Sequence, residues 1–365
     1  MGDLIQTTAA LEGACERIRQ DGLIALDTEF VWKCTYLPCL GIVQMGGRDF
    51  CCAVDCRSGL DTSALRDMIE DHAVVKILHD ARQDLTLLRH WTGASPRNVF
   101  DTQLAAAFAD LPKGLGLQKL LFEMLDVGLA KTETCTDWTQ RPLSDAQVRY
   151  ALDDVRYLPA LRDALVARCA ELGTLAWLDE ERAAADDANV YLDCPPDELW
   201  KRIKTHRARL GGRGFAVLRA VAALREKLAR EWNLPRNWLG DDGSLVRMAE
   251  KGRVERLVHR LRGGRGDTVR ALFESAIAEA LATPEDEWPE DPARHYIPEV
   301  LDAADRAIDW LDEKARSLHV DPGVVANRST VTAFVDDVGD ETNPLATGWR
   351  HEIAGAEMAE LFGVE

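Results

Sequence analysis

Strand-forming sequence is confined to the first part of this 365-residue chain. Its short apolar runs lie between glycines, prolines and helical patterns, at Leu23–Leu26, Leu40–Met45, Phe50–Val54, Val74–Leu78 and Val99–Phe100. After Cys194 and the two prolines that follow it, the strand signals stop and only helical periodicity continues. Because strands that alternate with helices form a sheet covered by helices, the sequence predicts an α/β domain followed by an all-α region.

Chain length and shifts in composition predict the domain boundaries. At about 100–200 residues per domain, the chain holds two or three domains. We predict an α/β domain over residues 1–193 and a first helical domain over residues 197–283. A proline-rich acidic linker, PEDEWPEDPARHYIP, fills residues 284–298, and a second helical domain covers residues 299–365.

Side chains that can cap helices mark several helix boundaries. Helical patterns cover Asp61–Glu70 and Asp80–Trp91. Asp101 can cap a following helix, and Ser144 with Gln147 three residues later forms a capping-box pattern. That box opens a long helix, which we predict to be kinked at Pro159 because proline lacks the N–H of a helical hydrogen bond.

We expect the protein to be cytoplasmic and to stay out of membranes. No window of the sequence approaches the ~20 apolar residues that a membrane helix needs. The opening residues lack the basic-then-apolar pattern of a secretory signal. The odd number of cysteines, 9, is typical of a protein whose thiols remain reduced.

Charge is distributed unevenly along the chain. Taken as an average, the net charge of −18 argues against a nucleic-acid partner. Residues 201–270, however, hold 19 basic and 7 acidic side chains, and the segments on both sides are acidic. Such a basic island attracts polyanions whatever the total charge, although a solvated helix surface that happens to be basic would have the same composition.

Two acids that follow an apolar run indicate a metal site. In the segment GLIALDTEF, Asp27 and Glu29 are two residues apart, so on a strand they project from one face. Like charges held together repel each other, and a hard divalent cation such as Mg²⁺ or Mn²⁺ would relieve that repulsion. A pair of solvated acids at a strand end is the alternative.

Two further segments carry acids at helical spacing. Asp80 and Asp84 are four residues apart and would share a helix face, and the spacing does not choose between them. Tyr150 and Asp154 are likewise stacked on one helix face. Together with the strand acids, this pattern favours two ions that clamp an in-line phosphoryl displacement, with a tyrosine hydroxyl that orients the attacking water.

These segments resemble a known family of nucleases. Asp27-Thr-Glu-Phe, His79–Leu85 and Tyr150-Ala-Leu-Asp-Asp154 are similar to the three exonuclease motifs of DEDD nucleases of the tyrosine subclass. The connecting sequences TYLPCLGIVQM, VFDTQLAA and TDWTQRPLSDAQVRYALDDVRYL are similar to those of the ribonuclease D family.

The resemblance continues through the helical region. The segment LAREWNLPRNWLGDDGSLVRMA resembles the HRDC module that RecQ-type helicases share with ribonuclease D. VDPGVVANRSTVTAF, followed by TGWRHEIAG, resembles a second and more divergent HRDC module. The implied fold is a ribonuclease-H-like exonuclease domain, with a mixed sheet flanked by helices, followed by two small all-α HRDC-like domains.

The resemblance also implies which residues form the site. Its metal-binding acids fall on Asp27, Glu29, Asp84 and Asp154. Its water-orienting tyrosine falls on Tyr150. By resemblance, Asp27 would bridge two divalent ions, Mg²⁺ or Mn²⁺, and Asp80 would be a helix-start residue.

The implied activity is the removal of 5′-nucleotides from the 3′ end of RNA, with tRNA precursors as the usual substrate and a monomer as the usual state. The basic island would then hold RNA phosphates, through Lys201, Arg202, Lys204, Arg207 and Arg209. Trp232 and Trp238 could stack on bases, but we expect them to pack the core of the first helical module.

Two alternative functions remain open at this point. A DNA-directed 3′-5′ exonuclease of the proofreading or Werner type would share all five catalytic positions. A non-catalytic RNA-binding scaffold with a decayed nuclease domain would typically have lost a metal ligand, and all of those positions are present here.

Overall fold

The computed structural model of the protein describes residues 4–129, 136–185, 194–205, 208, 210–254, 265–292 and 295–364. Within these limits the chain packs into two compact units. The first unit takes residues up to 31, residues 40–192 and residues from 296 onward, and the second takes residues 32–39 and 193–295. The predicted domains are consecutive segments of the chain, unlike these two units, and their boundaries stay a prediction. By packing, the segment after residue 296 belongs with the α/β fold.

A mixed sheet forms the centre of the first unit. Its six strands are β1 (Leu4–Ile5), β2 (Leu23–Val31), β3 (Cys39–Gly46), β4 (Cys51–Asp55), β5 (Val75–Leu78) and β6 (Val99–Asp101). In the described chain their order across the sheet is β1-β4-β3-β2-β5-β6. Strands β3 and β4 are antiparallel, whereas β1 with β4, β2 with β5 and β5 with β6 are parallel. The mixed α/β sheet is therefore confirmed.

Strand β2 is longer than its apolar run predicts. The run ends at Leu26, but the strand continues to Val31, so Asp27 and Glu29 lie inside it and not beyond its end. The physical reason is that threonine, phenylalanine and valine, which surround the two acids, favour strand geometry. The two-residue strand β1 is too short to leave a periodic signal, and it was not predicted.

Helices cover both faces of this sheet. They are α1 (Thr8–Arg19), α2 (Ser63–Glu70), α3 (Ala81–Thr92), α4 (Thr102–Ala107), α5 (Leu117–Leu125), α6 (Asp145–Arg156), α7 (Leu158–Leu172) and α8 (Leu175–Ala185). One face packs Ile24, Leu26 and Val43 against the helices α1, α2 and α3. The other face packs Ile42 and Ala53 against α6.

The carboxylate of Asp101 serves two helix starts. As predicted, it caps α4, where it accepts hydrogen bonds from the backbone N–H groups of Gln103 at 2.8 Å and Leu104 at 3.4 Å. It also accepts from the N–H groups of Asp80 at 3.0 Å and Ala81 at 2.9 Å, at the start of α3. One side chain therefore satisfies unpaired donors of two helices.

The helix that begins after Ser144 ends earlier than predicted. The capping box of Ser144 and Gln147 is confirmed, since each side chain bonds the other residue's backbone N–H. The predicted kink at Pro159 is wrong, because α6 ends at Arg156 and a new helix, α7, begins at Leu158. Proline fits the first turn of a helix, where its missing N–H would have had no partner, so the chain restarts a helix instead of bending one.

The C-terminal helices complete the core of the first unit. They are α13 (Pro298–Ser317), α14 (Pro322–Val325), α15 (Arg328–Asp336), α16 (Gly348–Arg350) and α17 (Ala356–Phe362), the last two joined by one π-helical stretch, His351–Gly355. The Trp349 ring lies 5.1 Å from that of Phe108, centroid to centroid. Arg350 donates to both carboxylate oxygens of Glu181, at 2.6 and 2.8 Å. These helices thus share buried side chains with the α/β fold.

The second unit is helical. It contains α9 (Gly212–Glu231), α10 (Arg236–Leu239), α11 (Asp242–Lys251) and α12 (Arg265–Ala282), with a short 3₁₀ turn at Leu199–Arg202 and another at Glu285–Glu287. Its core consists of residues such as Phe215, Leu218 and Phe273. No described helix of either unit is both long and apolar enough to cross a membrane.

A buried acid organises the second unit. The Glu226 side chain is 1% exposed and binds Arg230 at 2.8 Å, Arg236 at 3.0 Å and the hydroxyl of Tyr36, which lies in the segment 32–39. Burial would raise the pKa of Glu226, but hydrogen bonds from Arg236, Tyr36 and Arg230 outweigh it and hold the pKa at about 2. The carboxylate therefore stays charged and fully bonded inside the unit.

Candidate active site

Three carboxylates converge on one face of the sheet. Asp27 and Glu29 of β2 and Asp154 of α6 each offer an oxygen atom, and these atoms lie within 4.8 Å of one another. Asp27 and Glu29 share a face because side chains alternate along a strand. Of the acids, histidines and cysteines among the described residues, these three have the spacing that a metal ion needs.

Helix α6 reaches these acids because it packs close to the sheet. A Cβ atom at Gly46 would lie 3.2 Å from the carbonyl oxygen of Val155 on α6, which is tighter than ordinary contact, so the absence of a side chain lets the helix approach. Tyr150 and Asp154 lie on this helix, and the Tyr150 ring lies 6.1 Å from the ring of Trp138. Trp138 is 2% exposed and gives the tyrosine a fixed neighbour.

The fourth predicted acid, Asp84, takes a different partner. It lies in the first turn of α3 and accepts a hydrogen bond from the hydroxyl of Thr28. Because Thr28 alternates with Asp27 and Glu29 along β2, its side chain leaves the strand on the other face. Asp84 therefore lies outside the three-acid group, but its charge is near enough to raise the pKa values of Asp27 and Glu29.

Asp80 does not cap helix α3 with its side chain. Its backbone adopts a left-handed conformation with φ of 60° just before the helix, and its carboxylate makes no capping bond. The cap comes instead from Asp101, as described above. Asp80 is thus the helix-start residue that was predicted, but only its backbone, and not its side chain, takes part in starting the helix.

Every acid of the site has a raised pKa. For Asp27, burial raises the pKa well above its usual range, and the charges of Asp84, Asp154 and Glu29 add to it. Burial, with help from Asp154 and Asp84, raises the pKa of Glu29 to about 8. Burial also raises the pKa of Asp154 to about 7 and that of Asp84 to about 6. It is therefore unfavourable to hold these four carboxylates close together in their charged form without a positive charge beside them.

The residues present fit a divalent cation. The donor set is made of carboxylate oxygens, which suit hard ions such as Mg²⁺ and Mn²⁺. A cation would lower the pKa values that burial and mutual repulsion raise. Burial also raises the pKa of Tyr150, and the charges of Asp154 and Glu29 add to it, so its phenol keeps its proton at neutral pH.

Three of the predicted RNA-binding side chains are among the described residues, and they lie in the second unit. Lys201, Arg202 and Lys204 are exposed, and the Lys201 ammonium pairs with Glu198 at 2.6 Å. Arg207 and Arg209 lie outside the described residues. Trp232 packs against the helical core of this unit, as expected, and Trp238 is half-buried.

Sequence reasoning missed three residues that contact the site. Gln44 donates to Asp27, Thr28 donates to Asp84, and Trp138 lies beside Tyr150. A polar residue inside the apolar run LGIVQM was the one available signal, and it points to Gln44. The contact between Thr28 and Asp84 joins segments 56 residues apart, and that between Trp138 and Tyr150 joins a loop residue to a helix, so no periodic pattern predicts either.

Comparisons with known proteins agree with this geometry. Residues 3–169 match the family described as "3'-5' exonuclease". Ribonuclease D of Acidiphilium cryptum is 33% identical over 99% of this chain and 93% of its own length. Ribonuclease D of Pseudomonas paraeruginosa is 35% identical over 97% of this chain and 96% of its own length.

A solved structure extends the likeness to the fold. The crystal structure of Escherichia coli RNase D, described as an exoribonuclease involved in structured RNA processing, has a TM-score of 0.85 and 28% sequence identity. The match covers 99% of this chain and 98% of that one, so the helical C-terminal region is included. The names of these relatives support the exoribonuclease prediction over the DNA-directed and non-catalytic alternatives. Because the sequence and the fold match these relatives over nearly their whole length, the chain belongs to the ribonuclease D family and is a hydrolytic 3′-5′ exoribonuclease.

Proposed function

We propose that this exoribonuclease holds two divalent ions, Mg²⁺ or Mn²⁺, on Asp27, Glu29, Asp84 and Asp154. With them it releases 5′-nucleotides from the 3′ ends of structured RNAs, tRNA precursors among them, as a cytoplasmic monomer. The observation that carries the proposal is the convergence of three half-buried carboxylates, whose oxygen atoms lie within 4.8 Å of one another, which is unfavourable unless a cation joins them.

The positions of the acids suggest a division of labour. By its resemblance to the DEDD motifs, Asp27 would serve both ions, and the charges of Asp84, Asp154 and Glu29 all act on its carboxylate. Bound ions would polarise the scissile phosphate and lower the pKa of the attacking water. Tyr150 keeps its proton and shares a helix face with Asp154, so its hydroxyl can donate a hydrogen bond that orients that water.

Digestion of a 5′-labelled RNA with a stem and a single-stranded 3′ tail tests the proposal. We expect a ladder that shortens from the 3′ end and stalls near the stem, that disappears with a chelator, and that returns with Mg²⁺ or Mn²⁺. Degradation of a matched DNA at the same rate would contradict the preference for RNA. Metal-loaded protein that leaves the RNA tail intact would contradict the catalytic proposal itself.

Reversal of three exposed charges should weaken RNA binding selectively. We expect the K201E/R202E/K204E variant to raise KM and leave kcat nearly unchanged, because these side chains lie in the second unit and not among the catalytic acids. Each lost phosphate contact should flatten the dependence of log KM on log salt by about 0.7. The measurement is KM for the tailed RNA at several salt concentrations.

The matched control reverses three exposed arginines of the C-terminal helices, in the variant R306E/R316E/R328E. An equal rise in KM in this control would show that total charge, and not the predicted RNA-binding residues, sets the affinity.

Metal-free protein should lose stability as the pH rises through the pKa values of the acids. Glu29 and Asp154 have folded pKa values of about 8 and about 7, against usual values near 4, so the folded state binds their protons more tightly. Their stabilising contribution is complete below about pH 4 and is lost as the pH rises past 7 and 8. We expect the Tm in chelator to fall from pH 6 to pH 8.5.

Saturating Mn²⁺ should remove most of this fall, because the ion replaces the protons at high pH. Thermal unfolding at both pH values, with chelator and with Mn²⁺, measures the effect. An equal fall in both series would place its origin away from the acid cluster.

A further inference from the structure

Gln44 is a buried polar residue, and its neighbours along the strand are apolar residues and glycines. It lies on β3, opposite Ala53 of β4, and its exposed fraction is 0%. Its neighbours Val43 and Met45 point to the opposite face of the sheet, where they pack with the core formed by α1, α2 and α3. Gln44 therefore faces the side on which α6 and the three converging acids lie.

The nitrogen and the oxygen of the Gln44 side-chain amide differ in their hydrogen bonding. Its Nε2 donates to Asp27 Oδ2 at 3.0 Å. Its Oε1 is buried and has no hydrogen-bond partner among the described residues. An unmade hydrogen bond of this kind costs about 1–3 kcal/mol, and an apolar side chain of the same shape would avoid that cost. Packing alone therefore does not account for glutamine here, and the contact with Asp27 does.

An amide is suited to the neighbourhood of this carboxylate. Its N–H donates at every pH and brings no net charge, whereas a lysine would compete with a cation and a glutamate would add a further repelling charge. The hydrogen bond occupies Oδ2 and limits rotation of the carboxylate. Without it, repulsion from Glu29 and Asp154 would favour turning the Asp27 carboxylate away from them.

We propose that Gln44 is a positioning residue that holds the Asp27 carboxylate in the orientation that binds the divalent ion. The inference rests on the proposed function, because it assumes that Asp27 is a metal ligand. Hydrogen bonds to the ligands of a metal commonly change metal affinity by about 10–100-fold when they are removed. Gln44 touches the ligand and not the substrate, so its removal should act through the metal.

The test compares the Q44L and M45L variants. The Gln44→Leu change keeps the approximate shape of the side chain without the donor, and the Met45→Leu change is a conservative replacement of the neighbouring buried residue, which faces away from Asp27. Calorimetric titration with Mn²⁺ alone should show affinity about tenfold or more weaker in Q44L and unchanged in M45L. With RNA, kcat of Q44L should fall at limiting Mn²⁺ and recover at high Mn²⁺, while KM for RNA stays constant.

Further variants separate the possible failures. Wild-type protein that binds no Mn²⁺, or a D27N variant that binds it as well as wild type, would refute the metal site and hence the proposed function. Normal Mn²⁺ affinity in Q44L, with wild type and D27N behaving as expected, would refute the role of Gln44 alone. If Q44L does not fold, Q44N is used, since it keeps an amide that is too short to reach Asp27 and should show the same weakened binding. Failure of both to fold while M45L folds would assign Gln44 to core stability and overturn the proposal.

Discussion

The Asp154→Asn variant should lose RNA turnover by a factor on the order of 10³ or more while it still binds RNA. Asparagine keeps the size of the side chain but loses the charge with which Asp154 joins Asp27 and Glu29 within 4.8 Å. Because the predicted RNA-binding residues Lys201, Arg202 and Lys204 lie in the other unit, the Kd for RNA should change little. Single-turnover cleavage of 5′-labelled RNA and a binding titration in chelator measure the two quantities.

A neighbouring acid supplies the control for this variant. Asp153 pairs with Arg156 at 3.1 Å, and it does not belong to the three-acid group. We expect Asp153→Asn to keep activity within a few-fold of wild type. Unfolding will not explain the loss in Asp154→Asn, since removal of a repelling charge should raise the Tm of the metal-free protein. Retained turnover in Asp154→Asn, or weakened RNA binding with normal turnover, would contradict the assigned role.

The Arg141→Met variant should lower the free energy of unfolding by about 3–5 kcal/mol. Arg141 donates to both oxygens of Asp55, at 2.8 and 2.6 Å, and to the carbonyl oxygens of Trp138 at 2.8 Å and Gly41 at 2.9 Å. The Asp55 side chain is 3% exposed, so the substitution leaves a buried charge without its main partner. Chemical denaturation measures the loss.

The pKa of Asp55 gives this prediction a pH dependence. Burial would raise it, but hydrogen bonds from Arg141 and Gln6 outweigh burial and hold the pKa far below its usual range. In wild type this contribution to stability is present above the usual pKa near 4 and is lost as the pH falls further. The difference in the free energy of unfolding between wild type and Arg141→Met should therefore become smaller at acidic pH.

The exposed Arg66 provides the comparison, because it lies 3.9 Å from Asp67, which is also exposed. Arg66→Met should cost less than about 1 kcal/mol. Equal losses in the two arginine variants would mean that the Arg141 network contributes no more than an ordinary surface pair.

Local patterns were sufficient to predict most of the sheet and part of the site. The apolar runs identified five of the six described strands, since a buried strand must be apolar whatever it packs against. Alternation placed Asp27 and Glu29 on one face, and helical spacing placed Tyr150 with Asp154. The net charge of −18 was misleading as an average, and the basic island became visible only when the chain was divided.

Contacts between distant segments were beyond such reasoning. The bond from Thr28 to Asp84, which separates that acid from the other three, depends on how α3 crosses the sheet. The apolar faces of the C-terminal helices show that something covers them, but not that the partner is the nuclease fold. Pro159 illustrates a third limit, since the same residue can bend a helix or begin one.

The hydrogen bonds of Tyr36 bear on how the protein can be divided experimentally. A fragment that ends before residue 193 would contain Tyr36 without Glu226, and a fragment that starts there would contain Glu226 without Tyr36. The second unit is therefore assembled from two stretches of chain, and one proteolytic cut does not release it intact. Any transplant of the helical module into another nuclease must carry the segment 32–39 with it, or replace the partner that it provides.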